Sequence, residues 1–390
     1  MKGEVKVLVL ASAAAFLGTA AFRVSVPLVA YYVREGLGGA MVEVGGLTTA
    51  FFMARAIAAL LTGRVLEERV RVSVIATLSF AANAVVVQLY MLASSWLHVV
   101  LLKMLQGLLN GFAWVSIQYA LGVTVRSSLR GRAYSTYFAL GSLGSLAGNA
   151  AYSLLGAEGM WATLAVSTLL FAATAVTAAL IPEPPHAPRA ERTKARRSGI
   201  LNLQAMAAVA SIRAASSLIG GDLIYVYLRE AGGMSRQLAA LVVGLSDAVG
   251  VAVSFAVSWI ADKRSDLAAM VVTGALALGG GTLFAFSNPL TMIAGYVLFA
   301  LGARSLTPLA RRVAVTYAEM KGVAVGAVNA AGNFSAAASA PLIGGLLDAL
   351  DFYTVNIVGV EVIVVAALVD LMLVAGVAAP LALLAELKHG

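Results

Sequence analysis

Apolar runs of about twenty residues recur along the whole chain, and each ends at a cluster of glycine, proline or charged residues. Each run is long enough to cross ~30 Å of hydrocarbon as an α-helix. A helix satisfies its backbone hydrogen bonds internally, as the interior of a bilayer requires. The predicted spans are residues 5–33, 43–62, 73–93, 97–122, 133–155, 160–181, 200–228, 237–260, 267–287, 290–311, 323–347 and 354–384.

The composition is that of a chain whose solvent is lipid. Of 390 residues, 61% are apolar and only 12% are charged, and the mean hydropathy is +0.91. A water-soluble domain with this composition would aggregate. Strands of alternating polarity are lacking, which excludes a transmembrane barrel. The first apolar run, residues 1–32, has no small-residue cleavage site, so we interpret it as a span rather than a cleaved signal.

Several functions are excluded by residues that the sequence lacks. It has no cysteine, so disulfides, thiolate metal sites and cysteine nucleophiles are absent. His98, His186 and His389 all lie away from the middle of any span, which argues against an imidazole metal site. The sequence has no GxxxxGK[ST] phosphate loop, so it does not hydrolyse ATP, and any transport must draw on a gradient. We therefore expect no cofactor and no metal.

Lysine and arginine are unevenly distributed, which predicts the orientation. With the N-terminus inside, only Arg34, Arg229 and Arg236 of the 27 basic residues lie on the outer side. Cytoplasmic loops of membrane proteins collect such residues. Both termini are therefore predicted to be cytoplasmic, in a multi-pass protein of the cell membrane. The net charge of +8 is then a topology signal, and no nucleic-acid partner is expected.

One polar stretch divides the chain into near-equal halves. Residues 182–199 read PEPPHAPRAERTKARRSG, where prolines oppose a helix and basic residues favour contact with anionic lipid headgroups. We predict an N-terminal six-helix bundle over 1–181, a cytoplasmic basic linker over 182–199 and a C-terminal six-helix bundle over 200–390. The protein is expected to act as a monomer, with membrane lipids around it.

The two halves repeat each other at a constant offset of 195 residues. YVRE at 32–35, which ends span 1, recurs as YLRE at 227–230, which ends span 7. Agreement at several separated places indicates duplicated halves packed about an axis along the membrane normal, with a site between them near the midplane. The same offset relates two further pairs, Glu67 with Asp262 and Gly107 with Gly302.

Four short motifs lie in order along the chain, within or directly after particular spans. GRVLEERVR at 63–71 follows span 2, and IADKR at 260–264 follows span 8. Span 4 carries KMLQG at 103–107, and span 11 carries APLIGG at 340–345. In these four motifs the chain resembles the major facilitator superfamily, and the resemblance extends over nearly the whole chain. That family carries G-x-L-a-D-r-x-G-r after helix 2 and, in proton-coupled members, R-x-x-Q-G in helix 4.

The resemblance implies an all-α polytopic membrane protein with twelve transmembrane helices in two pseudo-symmetric six-helix bundles. It also implies a central cavity lined by helices 1, 4, 7 and 10. The chain departs from the exporters of the family in helix 5, where Asn149 follows Gly148 in place of a proline. Because this fold hosts many functions, the resemblance does not identify the substrate.

Charged side chains inside spans are the first candidates for function, because a charge at the bilayer centre costs about 2.5 to 3.5 kcal/mol. Arg23, Lys103, Arg213 and Arg304 lie on spans 1, 4, 7 and 10, and only Asp222 offsets them there. They predict a cavity that attracts anions. The alternative is that some of them pair with acids or extend to the membrane surface, Lys103 above all.

Span 4 carries a polar stripe that supports the cavity. Lys103, Gln106, Asn110, Trp114 and Gln118 fall within about a third of the helix circumference. A stripe of this polarity cannot face lipid. We therefore predict that the first four of these residues contact the substrate, together with the arginines of spans 1, 7 and 10.

Two carboxylates are candidates for proton coupling. Asp222 lies opposite Arg213 on span 7, so it is expected to reach a cation of another span. A permanent salt bridge that holds a closed gate is the alternative. Asp247 on span 8 is a second candidate proton site, with a conformational latch or a structural ion pair as alternatives.

Three further charged residues are assigned to gating. Glu67 and Asp262 lie near the cytoplasmic ends of spans 2 and 8, where an acid can meet the positive end of a neighbouring helix. The resemblance places them against the starts of helices 11 and 5, where they latch the outward-facing state. Arg55 lies on span 2, at the seam that the resemblance places between the halves.

These observations favour a secondary active transporter that works by alternating access. We expect proton coupling or exchange, with protons or a counter-substrate as the second solute and a small organic anion or amphipathic molecule as the substrate. A proton-driven exporter of drugs or metabolites is the alternative, and a non-transporting membrane receptor is a remote one. The sequence shows no Ser/His/Asp set and no carboxylate pair, so an enzyme is not expected.

Overall fold

The computed structural model describes residues 2–67, 71–156, 159–184, 195–318 and 321–389. Most of these residues are α-helical. The helices are α1 (Lys2–Tyr31), α2 (Met41–Glu67), α3 (Val72–Leu89), α4 (Trp96–Thr124), α5 (Arg130–Leu155), α6 (Met160–Ala179), α7 (Ala195–Ala215), α8 (Leu223–Glu230), α9 (Arg236–Lys263), α10 (Asp266–Phe284), α11 (Pro289–Tyr317), α12 (Lys321–Leu350) and α13 (Val364–His389).

Nine helical stretches in the described part of the chain are long and apolar enough to cross a membrane. They belong to α1–α4, α6 and α9–α12. α5 is not among them because it contains many serine, glycine and tyrosine residues. α7 and α13 are not among them because their apolar segments within the described ranges are shorter. Helices nevertheless occupy all of the predicted spans, with α7 and α8 sharing the seventh.

Predicted span 7 is not one continuous helix. α7 ends at Ala215 and α8 begins at Leu223, and a Gly-Gly pair between them favours a break, since glycine is a poor helix former. Broken backbone is tolerated at membrane depth where it is buried in protein. Here the backbone N–H of Asp222 donates to Thr48 Oγ1 over 3.0 Å.

The prediction that span 12 begins near residue 354 is wrong. Two short strands, β1 (Thr354–Ile357) and β2 (Val360–Ile363), form an antiparallel hairpin before α13 begins. Their β-branched residues favour extended backbone. Val358 and Gly359 make the turn with positive φ angles of 54° and 84°. Hydropathy alone does not distinguish such a hairpin from the start of an apolar helix.

Helix packing divides the chain into two sets joined along two seams. In the first set α1 packs on α5 and α6, and α4 packs on α2 and α3; in the second, α7 packs on α12 and α13, and α10 on α11. The seams are α2 against α12 and α5 against α9. Of the predicted linker, 182–199, residues 185–194 lie outside the described ranges. Residues 195–199 belong to the first turns of α7, which begins at Ala195.

We name the two ends of the bundle by the direction of α1. The proximal end is the one at which α1 begins, and the distal end is the one at which α1 ends. Tyr31 at the distal end of α1 donates a hydrogen bond to the backbone oxygen of Tyr225 in α8 (3.0 Å). The first and second sets of helices are therefore in direct contact at the distal end.

Candidate functional site

A cavity of about 230 Å³ lies between the two sets of helices. Its walls come from α1, α2, α4 and α5 on one side and from α7, α9, α11 and α12 on the other. Eight of the sequence-predicted site residues line it. They are Arg23, Arg55, Asn110, Trp114, Arg213, Asp222, Asp247 and Arg304.

Lys103 and Gln106 do not line the cavity, contrary to the prediction from the polar stripe of span 4. Lys103 is 1% exposed and Gln106 is equally buried. Lys103 extends to Asp222, and Gln106 accepts a hydrogen bond from the Tyr90 hydroxyl (3.1 Å). A polar stripe identifies a face turned away from lipid, but partners on neighbouring helices decide which members reach the cavity.

Lys103 and Asp222 form a buried ion pair. The Lys103 Nζ lies 2.6 Å from Asp222 Oδ1, and Thr48 Oγ1 donates to Asp222 Oδ2 over 2.9 Å. Lys103 and Thr48 lie on α4 and α2, whereas Asp222 lies in the break between α7 and α8. The pair therefore ties the two sets of helices together, and Asp222 does reach a cation of another span, as the sequence predicted.

Asp247 on α9 is the centre of a second buried network. Arg304 Nε donates to Asp247 Oδ1 over 2.7 Å, and Ser145 Oγ donates to Oδ2 over 2.5 Å. The guanidinium of Arg23 lies 3.6 Å from Oδ2 and also donates to the hydroxyl of Tyr225 (3.2 Å). This network too joins the two sets, because Arg23 and Ser145 lie on α1 and α5.

Three cavity arginines have aromatic rather than acidic neighbours in the described part of the chain. Arg55 lies over the ring of Phe51, with 5.8 Å from its guanidinium carbon to the ring centroid. Arg213 lies 4.5 Å from the centroid of Phe52. These are cation–π contacts, which stabilise a guanidinium without neutralising its charge. Arg55 thus contributes to the cavity, and no described contact shows it acting as the predicted latch.

Arg311 is the third of these arginines, and sequence reasoning missed it. It lies 5.7 Å from the centroid of Phe138 and donates to Asn329 Oδ1. Asn329 in turn donates to Gln118 Oε1 over 3.1 Å. Predicted span 10 ends at residue 311, which places Arg311 at the cytoplasmic surface, but α11 continues to Tyr317. Its spacing of seven residues from Arg304, which places both on one helix face, is the signal that could have found it.

Further ion pairs join the halves at the distal end, outside the cavity. We call this group the distal clasp; its members are Arg34, Glu35, Arg229, Glu230 and Arg236. Arg34 donates to both carboxylate oxygens of Glu230, from Nε over 2.7 Å and from Nη2 over 2.9 Å. Arg229 Nε lies 2.9 Å from Glu35, which also pairs with Arg236. The repeated YVRE and YLRE segments therefore meet each other.

The predicted latches at the proximal end are only partly described. Glu67 ends α2 and Asp262 lies in the last turn of α9, but the contacts of their side chains lie outside the described structure. Contacts between the two sets do exist at this end, where the hydroxyls of Ser135 on α5 and Ser258 on α9 are 2.6 Å apart. The two sets are therefore in contact at both ends of the bundle, through the distal clasp and through this hydroxyl pair.

The cavity is strongly cationic. Its lining includes Arg23, Arg55, Arg213, Arg304 and Arg311 but only two carboxylates, Asp222 and Asp247, both of which are already bonded to cations. Among the described residues, no group of three or more His, Cys, Asp or Glu side chains could hold a metal ion. The described lining of the cavity therefore carries more cationic than anionic side chains.

The protein has helices of membrane-spanning length in two duplicated sets, and these surround a polar cavity with a broken helix at its wall. This architecture is that of an integral membrane protein built as a transporter. The chain belongs to the Major Facilitator Superfamily, whose sequence model matches residues 10–339. This confirms the resemblance drawn from the four motifs and the fold that it implied.

Solved structures of transporters share the fold. The nucleoside transporter NupG matches with a TM-score of 0.67 and 12% identity, over 100% of both chains. The human organic anion transporter MFSD10 (TETRAN) matches with a TM-score of 0.74 and 12% identity, over 97% of this chain and 99% of that one. Among curated proteins, none matches this sequence significantly. At this identity the structures establish the fold and no more.

Proposed function

We propose that this protein is a secondary active transporter that moves a small organic anion or an anionic amphipathic molecule across the cell membrane. One observation carries the proposal: the cavity has five arginines, and its two carboxylates are already paired. Cations at membrane depth are costly and are retained where they pair or act. An anionic substrate would supply the missing counter-charge.

Alternating access explains why the ion pairs join opposite halves. The Lys103–Asp222 pair, the Asp247 network and the distal clasp all cross between the two sets of helices. Opening the distal end requires these bonds to break. Glu67 and Asp262 would act at the proximal end in the same way when the halves rock. This is rigid-body gating about a fixed site.

Asp222 and Asp247 are the candidates for proton coupling. Protonation removes the negative charge that holds Lys103 or Arg304, so it weakens a bond that keeps the distal end closed. A proton gradient could thereby drive the conformational change, and exchange against a counter-substrate is the other mode that such a cavity supports. The orientation that we propose places the proximal end, with both termini, in the cytoplasm, because basic residues cluster there.

Flux measurements on purified protein test this function. Liposomes containing the protein are given labelled organic anions, with and without a pH gradient, beside empty liposomes. We expect saturable anion uptake that falls at least ~tenfold in Arg23→Gln, because the cavity loses a charged hydrogen-bond donor. The matched control is Arg126→Gln, which removes an arginine whose side chain is 51% exposed outside the cavity. Uptake of neutral or cationic solutes alone would reject the proposal.

A second candidate is a proton-driven exporter of amphipathic compounds. The aromatic side chains of Phe22, Phe51, Trp114 and Phe138 in the cavity wall favour it, since apolar and aromatic walls bind drug-like molecules. Expression in a sensitive host would then confer resistance, and Asp222→Asn would abolish it. Resistance that survives Asp222→Asn would count against proton coupling through that carboxylate.

A further inference from the structure

Three arginines of the cavity are separate from the ion pairs that join the halves. Arg55, Arg213 and Arg311 project from α2, α7 and α11 into one space. Among the described residues, no Asp or Glu forms an ion pair with any of them. By contrast, Arg23 and Arg304 both meet Asp247. The three arginines therefore form a distinct group, which we call the arginine triad.

The carboxylates of the cavity have no capacity left to neutralise the triad. Asp222 bonds Lys103 through one oxygen and Thr48 through the other. Asp247 bonds Arg304 through one oxygen and Ser145 through the other. Serving the triad would require either acid to release the cation that it already holds. The missing counter-charge must therefore come from outside the protein.

Buried donors beside the triad also lack partners. Arg311 Nε and Asn333 Nδ2 are buried and have no hydrogen-bond acceptor in the described structure. The two residues are 8% and 4% exposed, respectively. Both residues line the cavity. An unsatisfied buried donor is costly, so these N–H groups are suited to an acceptor that a ligand would bring. Oxygen-rich groups meet that need.

Each of the three guanidiniums lies over a phenylalanine ring. Phe51 and Phe52, adjacent on α2, lie under Arg55 and Arg213, and Phe138 on α5 lies under Arg311. An aromatic ring does not use up a guanidinium N–H as a carboxylate would, so these contacts leave N–H donors for oxyanions. Room for Arg213 is made by Gly332 on α12, where an added Cβ would lie 3.0 Å from the arginine Cγ.

We propose that the arginine triad binds a substrate with at least two ionised oxyanion groups, of which a small organic dicarboxylate is the simplest example. A single negative charge would leave two of the three guanidiniums uncompensated. The triad draws on α2, α7 and α11, so the charges of the ligand meet different walls of the cavity. This inference rests on the proposed anion transport and specifies the substrate of the same site.

Matched ligands that differ by one charge test it. Succinate, adipate and phthalate are each compared with their own monomethyl ester, by thermal stabilisation of the purified protein and by uptake into liposomes. The unmodified protein is expected to favour at least one diacid over its half-ester by roughly tenfold or more, since a charge-assisted bidentate bond is worth at least that factor.

Variants then assign the preference to the triad. Arg55→Gln, Arg213→Gln and Arg311→Gln should each lower the ratio of diacid to half-ester uptake several-fold, and the matching lysine variants should keep part of it, because lysine retains charge but not the planar fork. Gel filtration reports folding, and Arg126→Gln is the control outside the cavity. The ratio is internal to each variant, so a lower yield of protein does not affect it.

Equal handling of every diacid and its half-ester would overturn the inference while leaving anion transport in place. The same holds if the preference survives in all three glutamine variants. Absence of any anion flux, with neutral or cationic solutes transported instead, would overturn both this inference and the proposed function.

Discussion

Arg34 forms a two-point ion pair with Glu230 across the boundary between the halves, with bonds of 2.7 and 2.9 Å. Arg229 and Glu35 form the reciprocal pair, at 2.9 Å. The two pairs are equivalent by the 195-residue repeat, because Arg34 corresponds to Arg229 and Glu35 corresponds to Glu230. A duplicated sequence thus gives a self-complementary contact, as at a two-fold interface.

Reversing the charge of Arg34 alone should open the distal end. Arg34→Glu places two carboxylates together, and exposed pairs of this kind are worth up to ~1 kcal/mol, so the open population should rise roughly fivefold. The chain has no cysteine, so Val226→Cys provides a single label in α8 at a position that is fully buried when the clasp is closed. The labelling rate with a maleimide measures opening.

The double variant Arg34→Glu with Glu230→Arg is the control for that experiment. It restores opposite charges with the sign inverted, so the labelling rate should return toward that of the parent. Fast labelling in the double variant would mean that the pair does not hold the distal end, and that the single variant acts by another route.

Removing Lys103 alone should destabilise the protein more than removing the whole ion pair. Lys103→Leu leaves the Asp222 carboxylate buried without its cation, a loss of about 3 to 5 kcal/mol. Lys103→Leu with Asp222→Leu removes both charges and should recover most of the melting temperature in detergent. The exposed pair Arg71–Glu183 is the control, where Arg71→Gln should change little.

The double variant also tests coupling. If Asp222 carries the proton, protein with both positions replaced by leucine should remain folded and bind anions but lose the stimulation of uptake by a pH gradient. Unchanged stimulation would transfer that role to Asp247, which keeps its own cations, Arg304 and Arg23.

The sequence predicted most of the fold because its dominant signal is physical. Hydrocarbon demands long apolar helices with satisfied backbones, and every predicted span contains helix. The failures occur where tertiary contacts override hydropathy. The break before Leu223 is stabilised by the Thr48 hydroxyl from another helix, and β2 is extended by pairing with β1.

The candidate site was only partly predictable for the same reason. A cation inside a span signals a polar environment, and Arg23, Arg213 and Arg304 do line the cavity. The partner of such a cation, however, lies on another helix at a distance in sequence that no local pattern encodes. Thus the polar stripe predicts Lys103 in the cavity, although its side chain is buried against Asp222. Hydropathy also ends the helix of Arg311 too early.

The orientation of the protein in the membrane can also be tested by labelling single cysteines with a maleimide. Val358, at the tip of the distal hairpin, is 99% exposed, and Arg264, at the end of α9, is an exposed proximal residue. In intact cells a membrane-impermeant maleimide should label Val358→Cys but not Arg264→Cys, and permeabilised cells should allow both. Labelling of Arg264→Cys alone in intact cells would reverse the proposed topology.

The seam between α2 and α12 depends on two glycines that have matched controls beside them. A Cβ at Gly45 would lie 2.6 Å from the backbone oxygen of Ala340, and one at Gly344 would lie 2.6 Å from that of Met41. Backbone cannot yield as a flexible side chain can, so Gly45→Ala and Gly344→Ala should separate the helices at a cost of roughly 1 to 3 kcal/mol.

The neighbouring residues Gly46 and Gly345 are the controls, because within the described structure no atom of another helix lies within 4 Å of the position that a Cβ would take there. Alanine at either residue should be neutral or should stabilise its helix by up to about 1 kcal/mol, since alanine favours helix over glycine. Melting temperatures and uptake rates of the four alanine variants separate packing from helix propensity. If this seam must also slide during transport, Gly45→Ala and Gly344→Ala will slow uptake more than their lower stability explains, whereas equal effects in all four would remove the seam from the mechanism.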